Sequence, residues 1–270
     1  MTNIDQKFTG SIPGNYDRYM RPLIFEPYAQ DLAERLAKLP AQDILETAAG
    51  TGVVTTRIAA GMTPGVRLVV TDLNPAMLEL AQKHIANSGV CFQPADATAL
   101  PFADNSFDVV VCQFGAMFFS SKLAGYKEAF RVLRKGGTFL FNVWDALQYN
   151  ELAAIANATV AAMFPDNPPD FMARTPHGYH DASQIKDTLK TAGFVNVTAD
   201  VVAKRSKAAS ARDAALGYTQ GTPMRSEIEG RDATKLALAT DLCEQNFISK
   251  FGKGPVDAAI QAIVFTAVRE

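Results

Sequence analysis

The sequence predicts an α/β fold built on a mostly parallel sheet. Three observations carry this. Residues 43–143 alternate short β-branched runs with helix-like stretches, the first strand opens into a turn of small residues, and 48% of the 270 residues are apolar, enough to bury a large core. Five strands are read, at 43–47, 66–71, 90–93, 107–114 and 138–143, each rich in Val, Ile, Leu or Phe. The segments between them suit helices at 53–60, at 75–86 with Asn74 as N-cap, and at 122–133, which Lys135-Gly136-Gly137 is expected to terminate. Helical crossovers of this kind make neighbouring strands parallel.

Beyond Trp144 the alternation weakens, and two further strands are read at 195–204 and 262–268. Two stretches interrupt the sheet. Residues 146–180 contain the proline-rich Phe164-Pro165-Asp166-Asn167-Pro168-Pro169, and residues 206–254 read as two or three helices, with Ser210 and Asp213 resembling a helix-start capping box.

Composition narrows the function classes. The formal net charge is −2 with Lys and Arg scattered, so no electrostatic footprint for nucleic acid is present. The start of the chain lacks a signal-peptide pattern and no apolar run approaches the ~18 residues of a membrane span, so a cytoplasmic protein is expected. Cys91, Cys112 and Cys243 form no short-spaced pair; Cys91 and Cys112 sit in apolar runs and read as core. His and Cys are too few and too dispersed for a metal centre, and none is expected.

The segment Ile44-Leu45-Glu46-Thr47-Ala48-Ala49-Gly50-Thr51-Gly52 passes from strand through small residues into a helix. Only such residues let backbone approach a ligand closely, and the helix beyond offers free N–H groups, which together mark a nucleotide site. The next strand ends in Asp72, 26 positions after Glu46, near the ~20-residue offset at which an acid meets ribose hydroxyls. Asn74 can cap the following helix, leaving Asp72 for that role. Asp96 with Ala97 after the third strand, and Gln113-Phe114-Gly115 at the end of the fourth, converge on the same crevice, because open α/β sheets bind ligands at the carboxyl ends of their strands.

These residues resemble the class I S-adenosylmethionine (SAM)-dependent methyltransferases, especially the ubiquinone/menaquinone-biosynthesis-like group of small-molecule enzymes. Leu45 to Gly52 looks like the family's Gly-rich first motif and Asp72 matches its ribose-binding acid. Asp96 with Ala97 matches the adenine-contacting segment, and Arg131-Val132-Leu133-Arg134-Lys135-Gly136-Gly137 is similar to its turn before strand five. Ala48 departs from the pattern where the family has its first Gly, and fits if its φ is negative. The resemblance implies a Rossmann-like, seven-stranded, mostly parallel sheet with helices on both faces, the last two strands forming an antiparallel hairpin with a helical cap inserted between them. The implied division is residues 1–40 as lid helices, 41–145 as SAM-binding core, 146–205 as connecting helices and sixth strand, 206–258 as cap and 259–270 as final strand. The implied cofactor residues are Glu46, Ala48, Gly50, Gly52, Asp72, Leu73, Asp96, Ala97 and Gln113.

The implied activity moves a methyl group from SAM to a small-molecule acceptor by in-line displacement, which needs alignment more than acid–base chemistry. A base is required only if the acceptor must lose a proton. His177 and His180 are candidates, the alternative being that His180 and Asp181 cap a helix at 182–191, while His84 reads as a surface residue. Tyr16 and Tyr19 either close over the methionine end of SAM, with Arg18 or Arg21 meeting its carboxylate, or pack as aromatics of an amphipathic helix. Residues 218–224 suit either a substrate loop or a helix end. Two other functions share the Gly-rich turn. An NAD-dependent oxidoreductase is disfavoured because Val53, Val54 and Thr55 follow Gly52 and the last glycine of the dinucleotide fingerprint is missing; a non-enzymatic SAM-binding protein is not excluded. Fold alone fixes neither the acceptor nor the oligomeric state.

Overall fold

A computed structural model describes residues 10–85 and 89–270. The predicted lid residues 1–9 and the end of the helix predicted at 75–86 lie outside the described residues. Helix α1 (Ile12–Asn15) carries a proline in its first turn and leads into a π-helical stretch, Tyr16–Phe25, with Pro22 inside it. Proline lacks the N–H that regular α-helical bonding requires, and a widened helix accommodates that gap. Then follow α2 (Glu26–Leu36), β1 (Asp43–Glu46), α3 (Val53–Gly61), β2 (Arg67–Asp72), α4 (Pro75–Lys83), β3 (Val90–Pro94), β4 (Phe107–Gln113), α5 (Lys122–Val132) and β5 (Leu133–Trp144). The chain continues through α6 (Glu151–Ala162), α7 (Phe171–Arg174), α8 (Ala182–Thr191), β6 (Val195–Ala208), α9 (Ala211–Gln220), α10 (Met224–Asp232), α11 (Leu236–Phe251) and β7 (Val256–Val268).

The described strands form one seven-stranded sheet of order β3-β2-β1-β4-β5-β7-β6. Pairings β1–β2, β1–β4, β2–β3 and β4–β5 are parallel. Strand β7 runs against β5, since Asp145 N–H reaches Gln261 O (3.1 Å) while Gly136 N–H reaches Arg269 O (2.6 Å). It runs against β6 as well, with Arg205 on Asp257 and Asn196 on Glu270. Strand order reverses between β1 and β4, an order that under the general right-handed crossover rule assigns α3 and α4 to one face and α5 to the other.

Several predicted boundaries move. Strand β5 starts at Leu133, because Lys135-Gly136-Gly137 forms a bulge inside it: the β4 register jumps from Phe107↔Leu133 to Val109↔Thr138. Helix α5 ends where Leu133 turns extended (ψ 145°). Strands β6 and β7 are longer than read from sequence, and α4 stops at Lys83 with His84 as its exposed C-cap. Cys91 is exposed, a correction to its reading as core, because β3 is the sheet's edge; Cys112, on the central β4, is fully buried.

The described residues fall into two compact units. One comprises Tyr28–Val143, His180–Val202 and Ala262–Glu270, and holds most of the sheet. Its core includes a run of aromatic rings, Phe139 on Phe141 (4.6 Å), Phe141 on Phe265 (5.0 Å) and Tyr126 beside Phe141 (5.4 Å). Each such ring contributes roughly 2–3 kcal/mol by burial. The other unit comprises the described part of Met1–Pro27 with Trp144–Tyr179 and Ala203–Gln261. In it α11 packs on α9 and α6, and α9 packs on the π-helical stretch, so the helices between β6 and β7 and those near the start of the chain share one core.

Candidate functional site

The site is assembled at the carboxyl ends of β1, β2, β3 and β4, all within the sheet unit. Register fixes the alignment: Glu46 lies opposite Val70 on one side and Val111 on the other, and Asp72 lies opposite Pro94. Gln113 therefore follows Val111 by two residues, and Asp96 follows Pro94 by two. Backbone bonds tie the Gly-rich turn to its neighbours, with Thr47 N–H on Val111 O (2.9 Å) and Ala49 N–H on Thr71 O (3.0 Å).

Asp72 is the hub. One carboxylate oxygen accepts Gly50 N–H at 2.8 Å and the other accepts Asn74 N–H at 2.7 Å. Asn74 in turn caps α4 by accepting Ala76 N–H, as expected. Asp72 is thus not idle in the protein itself: it fixes the turn while each oxygen keeps further lone pairs for a diol. Burial pushes its pKa up against the pull of those two N–H groups. Leu73 beside it is 55% exposed, a large apolar side chain presented to solvent at the strand ends. Asp96 is exposed, its Oδ1 accepting both the N–H and the hydroxyl of Thr98 (2.8 Å each). Ala97 and Gln113 are half-buried.

Glu46 is 1% exposed. Its Oε2 accepts the Thr55 hydroxyl at 2.7 Å, and its Oε1 is buried with no hydrogen-bond partner. Burial pushes the carboxyl up to about 8, the Thr55 hydrogen bonds opposing and Asp72 adding to the rise. On β4, burial pushes the Cys112 thiol up to about 11.

The turn itself is left-handed at three points: Ala48 (φ 51°), Gly50 (φ 57°) and Gly52 (φ 77°). Ala48 therefore does not have the negative φ that would have made it a comfortable substitute for glycine. Its methyl also sets the neighbouring strand end, since a Cβ on Gly115 would lie 2.3 Å from Ala48 Cβ and 2.8 Å from Cys112 Sγ. Gly52 is required on two counts, its φ and an approach to Ala81 that would leave a Cβ only 2.9 Å from the Ala81 Cβ. Beside Gly50, by contrast, a Cβ would meet nothing within 4 Å.

Sequence reasoning missed Thr55 and Lys122, and placed Gly115 at the crevice without its packing against Ala48. Thr55 stands in the first turn of α3, where a hydroxyl can reach back to a strand-end acid. Gly115 follows Gln113-Phe114 at a strand end, the position at which a missing side chain signals close approach. Lys122 donates to Met117 O (2.6 Å) and Phe119 O (2.9 Å), holding the loop after β4, and burial lowers its ammonium pKa to about 8.

The candidate bases and lid residues are distributed differently. His180, in the sheet unit, is half-buried; the helix cap beside it is made by Asp181, which accepts the N–H groups of Ser183 and Gln184. His177, Tyr16 and Tyr19 belong to the other unit. His177 is buried, with Nδ1 2.8 Å from Asp145 O and its ring beside Trp144 (6.1 Å). Since a carbonyl only accepts, Nδ1 carries the proton and Nε2 is the basic nitrogen. Tyr16 stacks on Phe25 (4.9 Å), Arg18 lies over the Tyr19 ring, and Arg21 pairs with Asp17 and Glu26. Residues 218–224 form a helix end: Gly221 N–H closes on Gly217 O, and Thr222 bridges Tyr218 O and Met224 N–H. Among the described residues no group of three or more His, Cys, Asp or Glu side chains is placed to hold a metal ion.

The donor set fits a nucleoside bearing a cationic amino-acid arm. Asp72 offers a carboxylate for a diol, Leu73 an apolar surface for a flat base, the turn at Gly50 open space, and Glu46 a buried oxygen lacking a partner. Fold and site together are those expected of SAM-dependent methyltransferases.

Comparison with known proteins agrees. Residues 45–141 match the family model described as a methyltransferase domain. The chain is 28% identical over 186 residues to the ubiquinone/menaquinone biosynthesis C-methyltransferase of Salmonella paratyphi B, covering 60% of this chain and 72% of that protein. Among solved structures it is similar in fold to a phosphoethanolamine N-methyltransferase of Haemonchus contortus in complex with SAM (TM-score 0.60, 16% identity, 100% of this chain and 60% of the other). It is similar likewise to the YcgJ protein of Bacillus subtilis (TM-score 0.58, 20% identity, 90% and 99%). Residues 45–141 are thus similar to methyltransferase domains, and the chain resembles SAM-dependent methyltransferases of the ubiquinone/menaquinone type. These similarities favour methyl transfer over the oxidoreductase alternative.

Proposed function

We propose that the strand-end crevice of the sheet unit holds SAM and that the methyl acceptor is a small molecule. The observation that carries this reading is Asp72, whose carboxylate is fixed by Gly50 and Asn74 between the Gly-rich turn and the exposed Leu73. In this reading Asp72 holds the ribose hydroxyls, and Leu73, Asp96 and Ala97 border the adenine. Ala48, Gly50 and Gly52 give the backbone its close approach, and Glu46 and Gln113 line the amino-acid end. When bound, SAM supplies a methyl group on a sulfonium, a good leaving group for in-line displacement. The protein's part is to orient, to exclude water and to present neutral or acidic groups to a cationic ligand.

A small acceptor is supported by the net charge of −2 with no basic cluster, and by the relatives, whose names refer to quinone C-methylation and phosphoethanolamine N-methylation. The test is release of adenosylhomocysteine from SAM against panels of phenols, amines and carbon acids, with RNA and protein substrates in parallel. Turnover is expected with members of the small-molecule panels and is expected to persist in EDTA. Turnover with RNA or protein alone would contradict the acceptor class, and complete loss in EDTA restored by one divalent ion would contradict the metal-free site.

A further inference from the structure

We propose that Glu46 is a proton-coupled partner of the cofactor, carrying a proton in the free protein and giving it up to solvent as the cationic cofactor binds. The inference rests on the reading of the crevice as the SAM site and adds to it a change of charge state in one residue.

Glu46 ends β1 at the point where strand order reverses, and it is 1% exposed. A buried carboxylate is tolerated when a cation or several donors surround it. Here Thr55 is the donor residue, its hydroxyl on Oε2 and its backbone N–H also acting on the carboxyl, while Oε1 has no partner. The titratable groups that act on it from adjoining elements are Asp72 on β2 and Cys112 on β4. One is a like charge and the other a neutral thiol, so neither favours the ionised form. The upward displacement of the acid to about 8, caused first by burial, agrees with that surrounding.

An orphaned buried oxygen in a native protein calls for an explanation, and a ligand that supplies positive charge is one. SAM carries a sulfonium and an α-ammonium against one carboxylate, a net positive charge near neutral pH. Inside a site of low dielectric, a cation within a few ångströms favours ionised carboxyl over neutral. The Glu46 O–H bond then breaks heterolytically, leaving the carboxylate in the complex and a proton in the buffer. Linkage makes the consequence measurable: where the free acid is protonated and the bound one is not, affinity rises about tenfold per pH unit.

The experiment is calorimetric titration of the full chain with SAM at pH 6.5, in phosphate and in imidazole buffers whose ionisation enthalpies differ, and a Kd series from pH 5.5 to 7. That range lies below the region near 8 where an α-amino group titrates. The expected result is release approaching one proton per SAM bound, with affinity rising toward pH 7, and a Glu46→Gln variant that binds SAM without either effect. Wild-type binding that is independent of buffer and pH overturns the proposal, as does unchanged proton release in Glu46→Gln, which would point to Asp72. Should that variant fail to fold, Asp72→Asn separates the two acids: retained proton release is expected, and its loss overturns the proposal. Absence of SAM binding to the wild type would overturn the cofactor-site reading as well, so the two failures are distinguishable.

Discussion

Ala48 and Gly115 show how single residues shape the strand ends. A left-handed alanine costs roughly 1 kcal/mol relative to glycine, and Ala48 accepts that conformation at φ 51° while its methyl occupies the space Gly115 leaves. Ala48→Gly should raise stability by about 0.5–1 kcal/mol in urea melts. Gly115→Ala should lower it by more than about 2 kcal/mol through overlap with Ala48 Cβ and Cys112 Sγ, and the double variant should recover part of the loss. Strict additivity would mean that the two residues do not meet. Asp72→Ala removes charge-assisted bonds expected to reach the ribose and should weaken SAM binding by about 1–3 kcal/mol; unchanged affinity in a folded variant would remove Asp72 from the site. Sequence made Asp72, Gly50 and Gly52 legible because the residue types themselves carry the message. It could not reveal that Ala48 is left-handed, since φ is a property of the path imposed by both strands, nor that Asp72 already serves the backbone of its own protein.

At the level of elements, the amino-terminal ends of the strands are tied by a charged network opposite the site. Asp108 accepts the N–H groups of Gln42 and Asp43 (2.9 Å each) and pairs with Arg134, which also pairs with Asp43, itself paired with Arg67. Partial burial pushes the Asp43 and Asp108 carboxyls up, but the hydrogen bonds from Arg67 and Arg134 on Asp43, and from Asp43 N–H, Arg134 and Gln42 N–H on Asp108, outweigh it and leave both pKa values lowered. Carboxylates with depressed folded pKa values contribute stability that is present above the ordinary aspartate range and is lost as pH falls through the folded values. Asp108→Ala should therefore cost about 1–3 kcal/mol at neutral pH, and the difference from wild type should shrink on acidification in denaturant melts; a gap constant down to pH 2 would contradict the network's role. The strands and helices of this region were legible because β-branched runs and caps are local signals. The start of β5 was not, because Lys135-Gly136-Gly137 has turn chemistry yet is stretched into a bulge by pairing to Arg269, 132 positions away. Cys91 was misread for a related reason: an apolar run does not say whether its strand is central or at the edge.

For the molecule as a whole, the chain leaves the sheet after β5, builds α6 and α7, returns for α8 and the start of β6, and leaves again for α9 to α11 before β7 closes the sheet. Interleaving of this kind was only partly legible. The helical stretches could be read, but their common core with the π-helical stretch near the start of the chain depends on contacts across some two hundred residues, as between Asn15 and Gln220. The residues proposed to hold the cofactor, by contrast, lie in one unit and within about seventy positions, so a linear reading could bring them together. Whether this unit is built for SAM is decided by calorimetric titration of the full chain with SAM and, separately, with NADH. Saturable binding of one SAM per chain and none of NADH is expected; NADH binding without SAM binding would contradict a SAM site.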